Sequence, residues 1–402
     1  MSIQIQTGSN VRSNRLADFV ASAFLLIVTF VLFSPLIAKL SSIGGDYVAH
    51  LKWAAEMEEQ KVLLLPHPLY HFLVMLIKNL FSFDYAKSSV VIVVAAIYGL
   101  SILNYRILAR YINPILAVLL SVCMLLITPL QAVYPLDKHL YFGYVGITTY
   151  HSPTMLLLKP LSLLAFCYAL KAATTTEERD LPNAFIFALS LFFCGISKPN
   201  FLIIILPAFV LFLLLIGRVR PVLTNGYVYG AFFLPIFLVL GLQFFHAYYY
   251  QSLSLGTGNE ESHIAFLPFE SMQHYSGFLV EKFFLSVVFP LLVFLCYPKE
   301  YFKNRAVLLS GICCFGGIIL TYLFAETGYR LYAGNFWWSG QIGMYLVFLF
   351  TLVFLLENMS QCCLGFFGKL KYTVCMILFF AHVGCGVFFY RQELLFPYMQ
   401  YW

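Results

Sequence analysis

The sequence predicts an all-α fold: a polytopic transmembrane helical bundle of about eleven spans with two interfacial helices in the first outward loop. Three observations predict it. Of 402 residues, 61% are hydrophobic and only 10% charged, too few polar groups to cover the water-facing surface of a globule. Apolar runs reach the roughly 17–25 residues needed to cross a hydrocarbon core of about 30 Å, and they recur along the whole chain. A single integral-membrane domain over 1–402 follows. Finally, His50, His67, His71, His139, His151, His246, His263 and His274, all but one of the nine histidines, fall in alternate connections and so on one side of a membrane.

The polar leader 1–14 precedes a run too long for a secretory signal and without a small-residue cleavage site, so that run is read as a retained first span. Spans are expected near 17–40, 88–108, 113–133, 154–173, 183–197, 200–217, 224–247, 278–297, 306–325, 338–356 and 372–390. Orientation turns on residues 69–83, which would reach only about 22 Å as a helix and carry Lys78. Counting them as a span moves Arg106/Arg110, Arg218/Arg220 and Lys299/Lys303/Arg305 outside, against the positive-inside rule. Laid in the interface, they leave those clusters and the N-terminus cytoplasmic and the C-terminus outside. The outward connections are then 41–87, 134–153, 197–200, 248–277 and 326–337. The inward ones are short and basic, or mixed as at Glu177 to Asp180. The thinly spread net charge of +6 suits membrane orientation and contact with anionic lipid, not nucleic acid. The ten cysteines form no CxxC pair and are read as small packing residues. No internal repeat is found, which weighs against an inverted-repeat transporter.

The first outward loop begins Gly44-Gly45-Asp46-Tyr47-Val48-Ala49-His50. Two glycines permit a sharp turn and place Asp46 to cap a helix on which Val48, Leu51 and Ala55 form the apolar face while Lys52, Glu56, Glu59 and Gln60 meet water. Asp46 and His50 stand one turn apart, so a carboxylate and an imidazole can point at one place. Pro66-His67-Pro68 ends this helix and residues 69–83 begin a second. His67 precedes proline and is extended, so His67 and His71 are not a helical metal pair despite their spacing.

A long first span, an outward loop with an acid just past the membrane, two surface-lying helices and about ten further spans make a plan similar to the GT-C fold of polyprenyl-phosphate-sugar-dependent glycosyltransferases. The likeness of plan covers nearly the whole chain, while the sequence likeness is the Asp46 loop. The resemblance implies a polyprenyl-phosphate-linked sugar donor, a lipid, glycan or protein acceptor, a catalytic acid in the first loop, and transfer on the non-cytoplasmic side of a membrane such as the bacterial inner membrane. Many members carry two acids in that loop. Here Asp46 is followed by Tyr47, which leaves the subfamily and any divalent metal open.

Sugar transfer from a phosphate carrier needs a base for the acceptor hydroxyl and a cation for the departing phosphate. Asp46 is the candidate base, with His50 as orienting partner or substrate ligand; helix capping is the competing role and is compatible with it. Arg330, among glycines and aromatics on an outward loop, can grip phosphate by two parallel hydrogen bonds. The alternative is an i,i+4 pair with Glu326 beside Trp337 and Trp338 in an aromatic belt. Lys198, at the tip of Ser197-Lys198-Pro199-Asn200, is the second phosphate candidate, or a snorkelling lysine. Substrate contacts are expected from His67, His71, His151, Lys159, Glu326 and Asn335; Lys159 lies deeper in its span than His151 and needs a wet cavity or an anionic partner. Asp137-Lys138-His139 reads as a solvated turn. The 248–277 loop, with Gly256-Thr257-Gly258, Glu260, Glu261, His263, Glu270 and His274, has the length of a lid that selects the acceptor. No HExxH motif supports zinc there, and the absence of a GxSxG elbow or Gly-rich nucleotide loop leaves no support for a serine hydrolase or an ATP-driven pump. A lipid-linked glycan ligase or polymerase is the alternative enzyme. A transporter or flippase is the non-enzymatic one, against which the almost wholly apolar inner halves of most spans count.

Overall fold

A computed structural model describes residues 15–175, 181–249 and 263–400. The leader 1–14, the 177–180 connection, Gly256-Thr257-Gly258, Glu260 and Glu261 lie outside them. The main helices are α1 (Arg15–Ile43), α2 (Gly45–Gln60), α3 (Leu69–Phe81), α4 (Tyr85–Leu108), α5 (Pro114–Leu126), α6 (Pro153–Thr174), α7 (Ala184–Ser197), α8 (Asn200–Leu215), α9 (Leu234–Tyr249, entered through a π-turn at Tyr229–Phe233), α10 (Leu279–Cys296), α11 (Arg305–Leu323), α12 (Trp337–Glu357) and α13 (Gly365–Leu395). Among the described residues, 8 helices are long and apolar enough to cross a membrane, which makes this an integral membrane protein.

That count is below the expected eleven because three expected spans form shorter helices, of 13, 14 and 16 residues for α5, α7 and α8. Helices of that length reach only about 20–24 Å. Prolines set two of the ends. Thr128 precedes Pro129 and Lys198 precedes Pro199, and a residue before proline is pushed out of helical geometry; Lys198 has φ −167° and ψ 131°.

The interfacial reading of 69–83 has a counterpart in the packing. Ser41 Oγ at the end of α1 bonds Ser89 Oγ at the start of α4 at 3.1 Å, so the chain between them leaves and re-enters the same end of the bundle. Within that excursion α2 and α3 pack on each other, and Glu58 accepts from Asn79 Nδ2 at 2.8 Å and from Tyr85 Oη. At the opposite end Tyr105 Oη donates to Asp18 Oδ1 at 2.8 Å, Arg218 donates to Thr174 O and Thr175 O at 2.7 and 2.8 Å, and Asn304 Nδ2 meets Glu357 Oε2 at 3.2 Å.

The centre is α12, buried from Trp337 to Leu355, as expected of a helix apolar all round. It lies against α11 along a seam of small residues. A Cβ on Gly317 would stand 2.5 Å from Ser339 O, and one on Gly343 2.6 Å from Cys314 Cα, so only glycine permits this approach. Trp337 and Trp338 are 8% and 6% exposed, so they are core residues and not the expected aromatic belt. All ten cysteines are free, and six are buried.

Two connections also depart from expectation. Asp137 is no solvated turn: its carboxylate pairs with Lys282 of α10, whose side chain is 0% exposed, and accepts from Ser276 Oγ at 2.9 Å. The described part of the 248–277 loop is anchored to the 326–337 loop. Strand β1 (Ile264–Phe266) pairs antiparallel with β2 (Phe324–Glu326), Ala265 opposite Ala325.

Candidate functional site

The site forms where the ends of α1, α7 and α9 and the starts of α2, α3, α6, α8 and α12 converge. On α2 the sequence reading needs two corrections. Asp46 is not the cap: the N-cap is Gly44, with no side-chain cap hydrogen bond, and Asp46 occupies the first turn. The inward face consists of Tyr47, His50, Leu51, Ala54 and Met57, whereas Val48 is 45% exposed. Side chains with polar tips take the buried positions because partners on other elements receive them. Tyr47 Oη donates to Tyr150 O at 3.1 Å, and His50 Nδ1 lies 3.0 Å from His71 Nε2 on α3. Trp53 meets the His50 ring edge-on at 5.0 Å.

His67 is in the non-helical segment between α2 and α3. That segment is held by α9, where His246 Nε2 lies 2.9 Å from Leu63 O. Lys198, from the α7–α8 turn, sits with Nζ 4.2 Å from the centroid of the Trp338 ring. His151 also meets that ring, at 5.4 Å, and is itself 4.9 Å from Tyr141. Gln341 fixes this wall: its Nε2 donates to Tyr141 Oη at 3.0 Å and its Oε1 accepts from Thr149 Oγ1 at 3.0 Å.

These groups share one electrostatic environment. Burial pushes the Asp46 carboxyl above its ordinary value, with the Lys198 ammonium opposing the shift. Burial pushes Lys198 down to about 8, opposed in turn by Asp46. His67 and His151 are pushed down to about 3, first by burial and then by Lys198, and Arg330 adds to the effect on His67. His50 is held well below the ordinary imidazole range by burial, His71, Lys198 and His67. Burial takes His71 to about 4. Thus Asp46, His50, His67, His71, His151 and Lys198 come together.

Arg330 stands at the rim with 48% of its side chain exposed, at the end of a 3₁₀ turn. Its Nε donates to Tyr329 Oη at 2.8 Å and its Nη1 is 3.7 Å from Glu326 Oε1, so the alternative ion pair is formed. Glu326 also accepts from Asn335 Nδ2, while Asn335 O accepts from Asn200 Nδ2 at 2.9 Å. Through Asn200 the rim is joined to the turn that carries Lys198. Lys159 is not part of this group. It is 1% exposed, Nζ donates to Ile147 O at 2.9 Å, and it lies over the Tyr345 ring at 5.4 Å. Its partners are a carbonyl and an aromatic face, where a wet cavity or an anionic partner was expected.

Among the described residues no group of three or more His, Cys, Asp and Glu side chains could hold a metal ion. His263 Nδ1 meets Thr327 Oγ1 at 3.0 Å and His274 stacks on Tyr332 at 3.9 Å, so each has its own partner. Sequence reasoning missed Trp338, Tyr141 and Gln341 as parts of the wall. A signal existed for Gln341, an amide inside an apolar run that must find partners there; none existed for the other two. No protein-family model matches the chain and no curated protein matches it.

Proposed function

We propose that this protein is a membrane glycosyltransferase that moves a sugar from a polyprenyl-phosphate-linked donor to an acceptor hydroxyl at the end of the bundle where Asp46 lies, on the non-cytoplasmic face. What supports this reading is one partly buried acid, Asp46, within electrostatic reach of one partly buried cation, Lys198, whose ammonium stands 4.2 Å from the Trp338 ring that His151 also meets, with the bonded His50 and His71 on the neighbouring helices.

The chemistry divides between them. A carboxylate whose proton affinity burial has raised is better matched to a general base than an ordinary surface aspartate. Asp46 takes the proton of the acceptor hydroxyl as its oxygen forms the bond to the anomeric carbon. The bond from that carbon to the phosphate oxygen breaks, and its electron pair leaves with the phosphate. Lys198, backed by Trp338, and Arg330 at the rim stabilise the charge that gathers on the phosphate. His50, held by His71, His67 and His151 complete the pocket as neutral hydrogen-bonding groups. Glu326 and Asn335 shape the rim, and the acceptor is a lipid, glycan or protein hydroxyl.

The test is turnover by purified protein against a panel of polyprenyl-phosphate sugars. Asp46→Asn keeps shape and removes basicity, so it should lower turnover by about 10²–10⁴-fold with donor binding retained. Lys198→Met should weaken donor binding. Near-normal turnover by Asp46→Asn, together with unchanged donor affinity in Lys198→Met, would overturn the reading.

A further inference from the structure

Helix α2 begins with a problem that its own sequence does not solve. The first backbone N–H groups of a helix have no intrahelical partner, and a Ser, Thr, Asp or Asn at the N-cap ordinarily supplies one. That position is Gly44, where a Cβ would stand 2.7 Å from Leu40 O and 3.1 Å from Leu40 Cα, so a side-chain cap is sterically barred. The next group able to serve is the Asp46 carboxylate itself, in the first turn of the helix. Instead the hydroxyl oxygen of Tyr398, which arrives from beyond the end of α13, lies against the backbone of Gly45 at this helix start, where the Gly45 and Asp46 N–H groups are its nearest polar neighbours. Glycine at position 45 admits the ring, since a Cβ there would lie 3.2 Å from Tyr398 Cε1 and 3.3 Å from Oη.

The arriving segment is fastened. Lys39 Nζ, near the end of α1, donates to Glu393 O at 2.7 Å, to Leu394 O at 3.1 Å and to Phe396 O, so a cation closes the carbonyl end of α13. Tyr390 Oη donates to Leu32 O one turn further back. The end of α1, the start of α2 and the tail of α13 form one clamp around Asp46.

We infer that Tyr398 is a positioning residue: by satisfying the first N–H groups of α2 it keeps the Asp46 carboxylate from capping its own helix and leaves it turned toward Lys198 and the acceptor hydroxyl. This rests on the reading of Asp46 as the base. Without the Tyr398 oxygen, the nearest acceptor for those N–H groups is the Asp46 carboxylate, and a carboxylate bound there is both misdirected and less basic.

The experiment compares full-length wild type, Tyr398→Phe, Asp46→Asn and the double variant. Phenylalanine keeps the ring and loses only the acceptor oxygen. Tyr398→Phe should lower kcat roughly tenfold or more with KM changed less than about twofold, and should move the acid limb of the pH profile of kcat to lower pH. Amide exchange in the peptide holding Gly45 and Asp46 should change from wild type as well. In the double variant the Tyr398 effect on kcat should vanish, because it acts through the carboxylate; a merely structural role would add its loss to that of Asp46→Asn. Wild-type kcat, acid limb and exchange in Tyr398→Phe, with Asp46→Asn inactive, would overturn the positioning role and leave the base in place. Near-normal turnover in Asp46→Asn would overturn the base and, with it, the positioning of a catalytic group by Tyr398.

Discussion

Between the ring nitrogens of His50 and His71, 3.0 Å apart and enclosed, there is room for one proton. One imidazole donates and the other accepts, so the pair is at ease neutral and resists a second proton. Both folded values lie below the ordinary 6.5, with His71 at about 4. The unfolded chain therefore binds more protons than the folded one between those limits, and the stability the pair contributes is complete above pH 6.5 and lost as pH falls toward about 4. Melting temperature against pH should show this decline. His71→Ala, which strands His50 Nδ1, should cost about 1–3 kcal/mol at neutral pH. His71→Gln, an untitratable donor and acceptor, should recover part of the loss and flatten the acid slope; an alanine variant that melts like wild type would rule out the bond as a stabilising contact. Lys198 gives the opposite limb. Its folded value of about 8 lies below the ordinary 10.5, so the ammonium, and with it donor affinity, should fade as pH rises through about 8. Lys198→Arg stays charged and should carry binding to higher pH. If wild-type donor affinity is flat from pH 7 to 10, this lysine does not hold the phosphate.

At the scale of elements, α2 and α3 were readable because their boundaries are written in local chemistry: Gly44-Gly45 before one, Pro66-His67-Pro68 before the other. The inward face of α2 was not readable. Counting apolar residues selects Val48, while the fold buries His50 because its partner His71 waits on the next helix, a pairing across the α2–α3 turn that hydropathy does not encode. Asp46, Lys198 and His151 were singled out as polar groups at span ends, but Trp338, which stands between the last two, became part of the site only through the packing of α12. That packing depends on glycine in a way single substitutions can resolve. Gly316 and Gly317 are neighbours on α11; a Cβ on the first meets nothing within 4 Å, and one on the second meets the Ser339 backbone at 2.5 Å. Gly317→Ala should lower the unfolding midpoint by forcing the helices apart, a strain of about 1–3 kcal/mol. Gly316→Ala, gaining helix propensity without a clash, should hold or raise it. Equal midpoints for the two variants would mean that the seam yields at no cost.

The whole molecule has two chemically distinct ends, and the connection through α2 and α3 determines which charges go to which. Because Ser41 and Ser89 meet, 45–84 returns to the end it left, and every later helix end inherits its side from that fact. Asp46, His151, Lys198 and Arg330 then share one end, while Arg218, Asn304 and Glu357 stand at the other. If the basic end follows the positive-inside rule, the site faces outward. Single cysteines placed in a background freed of the ten native ones test this with a membrane-impermeant maleimide on intact cells. Gln60→Cys and Tyr332→Cys, both at exposed positions on the site's end, should label at once. Lys303→Cys, exposed beside the start of α11, should label only after permeabilisation. Reversal of all three would keep the fold and put the chemistry in the cytoplasm, where a donor would be met on the inner leaflet. Labelling of Lys303→Cys and Gln60→Cys from the same side would mean that 69–83 crosses the membrane after all, and the two-ended arrangement on which the site rests would fail with it.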